Sequence, residues 1–342
     1  MSLTLRDILQ ARRRIAARIG HTPLHYDYVL SQRCNCHLYL KLENRQLTGS
    51  FKLRGALNYL TAMPRSGLAQ GVVTASSGNH GLAVAYAARL CGDAPATIFL
   101  PRNTPQAKRR KLEEFGADIR LAGDSYESAH HAATAFRDAE RVPYVPAYDD
   151  PLIVAGQGTA GLEIMETLPD VEVILVPVGG GGLSAGIALA AKSINPQVRV
   201  LGVQPDASPA AWLSFRNGYA CEEYAATPTI ADGLAGGYGR YTFEIARNLL
   251  DDIVIVKEVD IRLAVAALLE LSQELVEGAG ATVVAPLLSG QLQLGGKKVA
   301  AVLSGRNIDA RVVHSILAEV YGAEKQLNPY FERTLGSMEE NV

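Results

Sequence analysis

Apolar runs rich in Val, Ile and Leu alternate along the chain with stretches whose apolar residues recur every three or four positions. The runs at 37–42, 71–75, 96–100, 118–121, 173–178, 198–204, 252–256 and 298–303 are short and predominantly apolar, and they read as strands. Between most of them, 81–91, 106–115, 125–140, 183–193 and 261–275 carry helical spacing. A strand that is apolar at successive positions has no polar side to turn to water, so both faces must be covered. Such strands alternating with helices predict an α/β fold of open, mostly parallel sheets with helices on both faces. The series falls into two sets, about 52–155 and about 156–320, which predicts two lobes, with the first 50 residues packed against them. The stretch after about Lys325 is polar and reads as a loosely held tail.

Composition narrows the function classes. The 342 residues are 48% hydrophobic, which excludes a disordered chain. There are 33 basic against 35 acidic residues, a net charge of −2, so no global electrostatic footprint for nucleic acid exists. Aromatics at 6% also argue against a base-stacking platform. Four cysteines, Cys34, Cys36, Cys91 and Cys221, do not make a disulfide framework in a chain of this size, and a reducing, cytoplasmic setting fits. Cys34-Asn35-Cys36-His37 has the look of a metal clip, but no second Cys/His cluster stands near to complete a tetrahedron, and a turn before a strand is the plainer reading. The arginine-rich start (Arg6, Arg12, Arg13, Arg14, Arg18) weakly resembles a transit peptide; the plainer reading is a surface helix burying Ile8 and Ile15. From 173 to 191 there is no charge, yet Pro177 and the glycines in the middle argue for strand, loop and helix, and no membrane segment is expected.

Four polar motifs fall at strand ends or helix starts, where ligands bind in such folds. Gly179, Gly180, Gly181 and Gly182 separate a strand from a helix; backbone without side chains at a helix N-terminus suits a phosphate. The same segment satisfies G-x-G-x-x-A, but the next strand ends in Gln204 where a dinucleotide site would carry an acid. Lys52 follows Ser50, read here as a helix N-cap, and so falls in a first helical turn. The positive end of the helix dipole would lower its amine pKa and make it a Schiff-base former. Ser76-Ser77-Gly78-Asn79-His80 offers hydroxyls, an amide and helix N–H groups, a set suited to a carboxylate, although two N-caps and a turn histidine explain it as well. Ser304-Gly305-Arg306-Asn307 ends the last strand and puts a hydroxyl at the sheet edge.

Taken with Gly156-Gln157-Gly158-Thr159 and the segment from Thr229 to Leu234, these motifs resemble the fold-type II pyridoxal-phosphate enzymes, within them the threonine dehydratase and serine racemase group. The resemblance is collinear from about residue 5 to 322. It implies pyridoxal 5'-phosphate as cofactor, a large domain of 1–51 plus 156–322 that binds it, a small mobile domain of 52–155 and a tail at 323–342. It implies that Lys52 holds the cofactor covalently and moves the α-proton, and that Phe51 packs near the ring. Asn79 would hydrogen-bond the ring oxygen, Ser304 the ring nitrogen, and the four glycines from Gly179 to Gly182 the phosphate. Leu183, Gly233 and Glu277 complete the cofactor site. Ser76, Ser77, Gly78 and His80 line the substrate carboxylate. The implied reaction is β-elimination from a small hydroxy amino acid such as threonine or serine, giving a 2-oxo acid and ammonia, in a homodimer.

Departures from the family pattern carry their own expectations. Gln204 and Ala210 stand where members with a divalent-cation site carry acids, so no metal is expected. Arg306 replaces a glycine; it is either a structural arginine or a binder of an extra anionic group on the substrate, as in a 3-hydroxyaspartate or a hydroxyectoine-derived diamino acid. Glu277 is followed by Gly278 where the family often has proline. The short stretch after the catalytic region leaves no room for a regulatory domain, so feedback control by isoleucine is not expected. Two rivals remain. A racemase needs an acid on the face of the cofactor opposite Lys52, and Ser77 holds that position in the resemblance. A nucleotide-binding protein would use Gly180-x-Gly182 as its loop.

Overall fold

A computed structural model describes residues 3–321 of the chain; the expected tail at 323–342 lies outside the described residues. Among the described residues, nine strands form two sheets. In chain order they are β1 (Leu24–Tyr26), β2 (His37–Lys41), β3 (Val72–Ala75), β4 (Ala96–Leu100), β5 (Ala117–Leu121), β6 (Val173–Pro177), β7 (Arg199–Pro205), β8 (Asp252–Val256) and β9 (Lys298–Val302). The larger sheet has the order β1-β2-β9-β6-β7-β8 and the smaller β3-β4-β5. Every pairing is parallel except β1 with β2.

The side-chain period of two explains why both faces had to be apolar. In β6, Val173 and Leu175 enter one core cluster while Ile174 and Val176 enter another. Their neighbours follow suit: Leu201, Val203, Val299 and Ala301 join the first cluster, and Val200, Ala300 and Val302 the second. The small sheet repeats the arrangement, with Val72, Ile98 and Leu100 on one side and Val73 and Phe99 on the other. Each such Val, Leu, Ile or Phe taken wholly out of water contributes about 1.5–3 kcal/mol.

Three helices place the chemistry. Lys52–Ala62 starts with Lys52 itself. Asn79–Leu90 follows β3, and Gly182–Ile194 follows β6. The long helix Pro151–Thr167 packs against both the first and the last of these. Close approach depends on small residues: a Cβ on Gly156 would sit 2.6 Å from the Gly55 Cα and 2.7 Å from the Arg54 carbonyl oxygen. The Gly-Gln-Gly-Thr run thus belongs to a helix interface, and Gln157 adds to it by accepting from the Gly55 N–H at 3.2 Å.

The expected strands at 96–100 and 252–256 are found with the same bounds, most others shift by a residue or two at their ends, and the helix expected at 261–275 runs earlier, from Glu258 to Leu271. β1 was not expected. Three residues with one half-buried side chain carry too little pattern, and its antiparallel pairing with β2 is what defines it. The uncharged stretch from 173 to 191 is β6, the glycine loop and most of a buried helix. No helix among the described residues is long and apolar enough to cross a membrane.

Candidate active site

The carboxyl ends of β3, β6 and β9 open onto one cavity of about 1080 Å³. In the larger sheet β9 lies between β2 and β6, so the chain reverses its direction of growth where Ser304 and the glycine loop emerge. That is the place where an open α/β sheet leaves a crevice. Phe51, Lys52, Ser76, Ser77, Gly78, Asn79, His80, the four glycines from Gly179 to Gly182, Leu183, Gly233, Glu277 and Ser304 all line it. Residues far apart in sequence are therefore brought to one space.

Lys52 stands at the first position of its helix, half-buried, and its Nζ donates to the Ala147 carbonyl oxygen at 2.7 Å. The Phe51 ring centroid lies 5.3 Å from the same nitrogen. Burial lowers the amine pKa to about 8, against the opposing pull of Glu277. The lowered pKa was expected, but its main cause is loss of water. The expected N-cap is also corrected. Ser50 forms an antiparallel bridge with Gly305, and the Phe51 N–H donates to the Ser304 carbonyl at 3.0 Å. This ties Ser50 to the strand end, so Phe51 becomes the cap, and the buried Ser50 hydroxyl has no hydrogen-bond partner.

After β3, Gly78 is the cap of the Asn79–Leu90 helix, and the Ser76 hydroxyl accepts from its N–H at 3.3 Å. His80 is buried, with Nε2 3.0 Å from the Val145 carbonyl oxygen, which assigns that nitrogen as the donor. Burial and the nearby Lys52 push its pKa down to about 3, so the imidazole is neutral.

Glu277, Asn79, Asn307 and Lys111 form a chain of hydrogen bonds along the cavity wall. Asn79 Nδ2 donates to Glu277 Oε1 at 2.6 Å. Asn307 Nδ2 donates to Asn79 Oδ1 at 2.5 Å, and its backbone N–H donates to Glu277 Oε2 at 3.1 Å. Lys111 donates to Asn307 Oδ1. An ammonium can only donate and a carboxylate can only accept, so the two ends fix the direction of both amides between them. Burial and the nearby Asp232 push Glu277 up to about 7, against the bonds from Asn79 and Asn307. Asn307 and Lys111 were given no role in the sequence reading. Asn307 stood in a quoted motif, and its closeness to Ser304 was the available signal; Lys111 looks like any helical lysine.

The glycine loop fits a phosphate. Gly181 caps the Gly182–Ile194 helix with φ +96, a conformation that favours glycine, and no side chain satisfies that helix start. A Cβ on Gly180 would lie 2.4 Å from the Tyr148 ring. The cradle therefore presents backbone and excludes side chains. Ser304 and Asn79 supply a hydroxyl and an amide where the resemblance puts a pyridine ring, so the residues present fit pyridoxal phosphate.

Arg306 stands four residues past the end of β9. Its backbone N–H donates to the Gly49 carbonyl at 2.9 Å, and its side chain is exposed and not among the cavity-lining groups. Burial and the nearby Arg306 charge lower the amine pKa of Lys111, which does line the cavity. Gln204 is internal: its amide donates to the Val178 carbonyl at 3.2 Å and accepts from the N–H of Ala211 and Trp212 at 3.1 and 3.2 Å. Among the described residues no group of three or more His, Cys, Asp or Glu side chains is placed to hold a metal, and the four cysteines are free.

The chain is similar to known proteins over nearly its whole length. The family model described as pyridoxal-phosphate dependent enzyme matches residues 15–305. The L-threonine ammonia-lyase of Geobacter sulfurreducens is 44% identical over 91% of this chain and 77% of its own. The catabolic L-threonine dehydratase TdcB of Escherichia coli K12 is 40% identical over 92% and 96%. Among solved structures, maize serine racemase superposes with a TM-score of 0.86 at 32% identity, covering 93% of this chain and 98% of that one.

Proposed function

The chain belongs to the pyridoxal-phosphate dependent enzymes of fold-type II, and from that premise we propose that it is an L-threonine ammonia-lyase. It converts threonine to 2-oxobutanoate and ammonia, with serine as the smaller alternative substrate. The observation that carries the reading is the Lys52 amine, depressed to about 8, opening on the same cavity as the glycine loop. The relatives at 40 and 44% identity supply the reaction.

The cofactor, when bound, draws electrons away from the substrate α-carbon. The protein's part is orientation and proton handling. Lys52 would hold the cofactor through its Nζ and, once the substrate amine has taken its place there, the freed Nζ would take the proton from the α-carbon. Backbone N–H groups of the glycine loop and the following helix start hold the phosphate. Asn79 would donate to the ring oxygen, in the direction that Lys111 and Glu277 impose. The Ser304 hydroxyl would meet the ring nitrogen; being neutral, it would not enforce a protonated ring as a carboxylate does, which disfavours transamination. Ser76, Ser77, Gly78 and the start of the Asn79–Leu90 helix receive the substrate carboxylate. Loss of the α-proton and the β-hydroxyl removes one water. The resulting enamine tautomerises and takes up one water, releasing the 2-oxo acid and ammonia.

Racemisation is the second reading, and two observations favour it: Ser77 lines the cavity, and the likeness to maize serine racemase spans 93% of the chain. One experiment separates the two. Threonine or serine is supplied to the purified holoenzyme, and 2-oxo acid and D-amino acid are measured together. Elimination predicts 2-oxo acid in excess of D-isomer; a dominant D-isomer would overturn the proposal. The proposal extends to a homodimer acting on a free amino acid in the cytoplasm, a compartment that suits four unpaired thiols.

A further inference from the structure

Four consecutive glycines have no side chains with which to fix their own conformation. A loop of that kind presents its N–H groups in one direction only if something outside it holds the backbone still. The structure supplies such a hold. Thr242, fully buried and not among the cavity-lining residues, donates its hydroxyl to the Gly180 carbonyl oxygen at 2.8 Å. The same hydroxyl lies 2.9 Å from the Gly239 carbonyl oxygen, and the Gly239 N–H donates to the Gly180 carbonyl at 3.2 Å. A Cβ on Gly181 would lie 2.6 Å from the Thr242 hydroxyl oxygen and 2.5 Å from the Tyr238 ring.

Thr242 is itself held. Its N–H donates to Asp149 Oδ1 at 2.9 Å. Asp149 follows Tyr148, whose ring covers Gly180, and Ala147, whose carbonyl receives Lys52. One short segment before the Pro151–Thr167 helix thus touches the lysine and the loop, and through Thr242 it fixes the loop's carbonyl.

The peptide unit between Gly180 and Gly181 is planar and trans, so its carbonyl and its N–H point in opposite directions. Binding the Gly180 carbonyl from behind turns the Gly181 N–H away from Thr242. We infer that Thr242, held by Asp149, is a positioning residue of the phosphate cradle. Its hydroxyl sets the loop's N–H groups toward the cofactor's phosphate before the cofactor arrives. The inference rests on the proposed cofactor reading.

The test compares two probes that differ only in the phosphate. Stripped protein is titrated by absorbance with pyridoxal phosphate and with pyridoxal, in the wild type, Thr242→Val and Thr242→Ser, each checked for folding by near-ultraviolet circular dichroism. Valine keeps the shape and removes the hydroxyl; serine keeps the hydroxyl. Thr242→Val is expected to bind pyridoxal phosphate about tenfold more weakly, the effect of losing one hydrogen bond. Its affinity for pyridoxal stays at the wild-type value, and Thr242→Ser keeps wild-type affinity for both. Should Thr242→Val not fold, Asp149→Ala carries the same expectation with Thr242 in place. Unchanged affinity for pyridoxal phosphate, or equal losses for both probes, would overturn the inference. Equal affinity of the wild type for the two probes would instead overturn the assignment of the glycine loop to a phosphate.

Discussion

Lys52 has to shed its proton before it can attack an aldehyde, and burial is what makes that cheap at working pH. An ordinary lysine would be deprotonated at a fraction of a percent near neutrality, whereas a group at about 8 is a tenth or so free. The rate at which the stripped protein takes up pyridoxal phosphate should therefore climb with pH and level off above about 8, followed by stopped-flow absorbance. A rate still rising tenfold per unit at pH 9 would show that the amine keeps its ordinary pKa. Lys52 was legible in the sequence because it falls just after Ser50 at a helix start and within a motif that carries the family resemblance. Its environment was not. The burial that lowers its pKa comes from the fold, and the groups that oppose that shift and hold its nitrogen, Glu277 and Ala147, lie 225 and 95 residues away, with no local pattern to link them. Ser50 shows the converse: a good local cap signal was overruled by an extended pairing with Gly305 that only the fold supplies.

The Lys52–Ala62 helix is also anchored by charge. Arg54 is fully buried and meets two carboxylates from other elements: Nε and Nη2 donate to Glu43 at 2.8 Å, while Nη1 and Nη2 donate to Glu163 at 2.7 and 2.8 Å. Lys41 adds a second buried cation against Glu163, so two acids face two bases. Such a cluster breaks badly when one member goes. Arg54→Met would leave two buried carboxylates facing only Lys41, and the expected loss is about 3–5 kcal/mol of unfolding free energy, read by urea denaturation. A loss under about 1 kcal/mol would mean that water reaches the cluster and that the helix is held by its apolar face alone. The sequence reading placed the start of this helix from a cap signal and missed its charges, because the partners are 11 and 109 residues distant. β1 escaped for a related reason: an edge strand of three residues is defined by its neighbour.

Two sheets with separate cores share one cavity, and the contacts that cross it are polar. Lys111 reaches Asn307, and Lys108 lies 3.3 Å from Asp232, both from the Gln106–Glu114 helix beside the small sheet. Polar contacts of this kind part and re-form more readily than an apolar interface, which suits a lobe that closes over substrate. An amino acid without a β-hydroxyl, such as L-2-aminobutyrate, should bind the holoenzyme without turnover. It should slow amide hydrogen exchange in the Gln106–Glu114 and Tyr126–Glu140 helices by about tenfold while leaving β6 and β9 unchanged. No change in either helix would show that the lobes are fixed. The gathering of the polar motifs at the carboxyl ends of strands was readable because parallel α/β sheets place ligands there by rule, whereas the order of strands within each sheet was not. The backbone bond from Arg306 to Gly49 was not readable, since its partner lies 257 residues earlier in the chain. The central claim is that Lys52 and the glycine loop together hold pyridoxal phosphate, and an absorbance spectrum tests it most directly. The purified protein is expected to absorb at roughly 410–420 nm, and Lys52→Ala to lose or shift that band while still folding. A protein with no such band after pyridoxal phosphate is added, or a Lys52→Ala variant with the wild-type spectrum, would contradict the account.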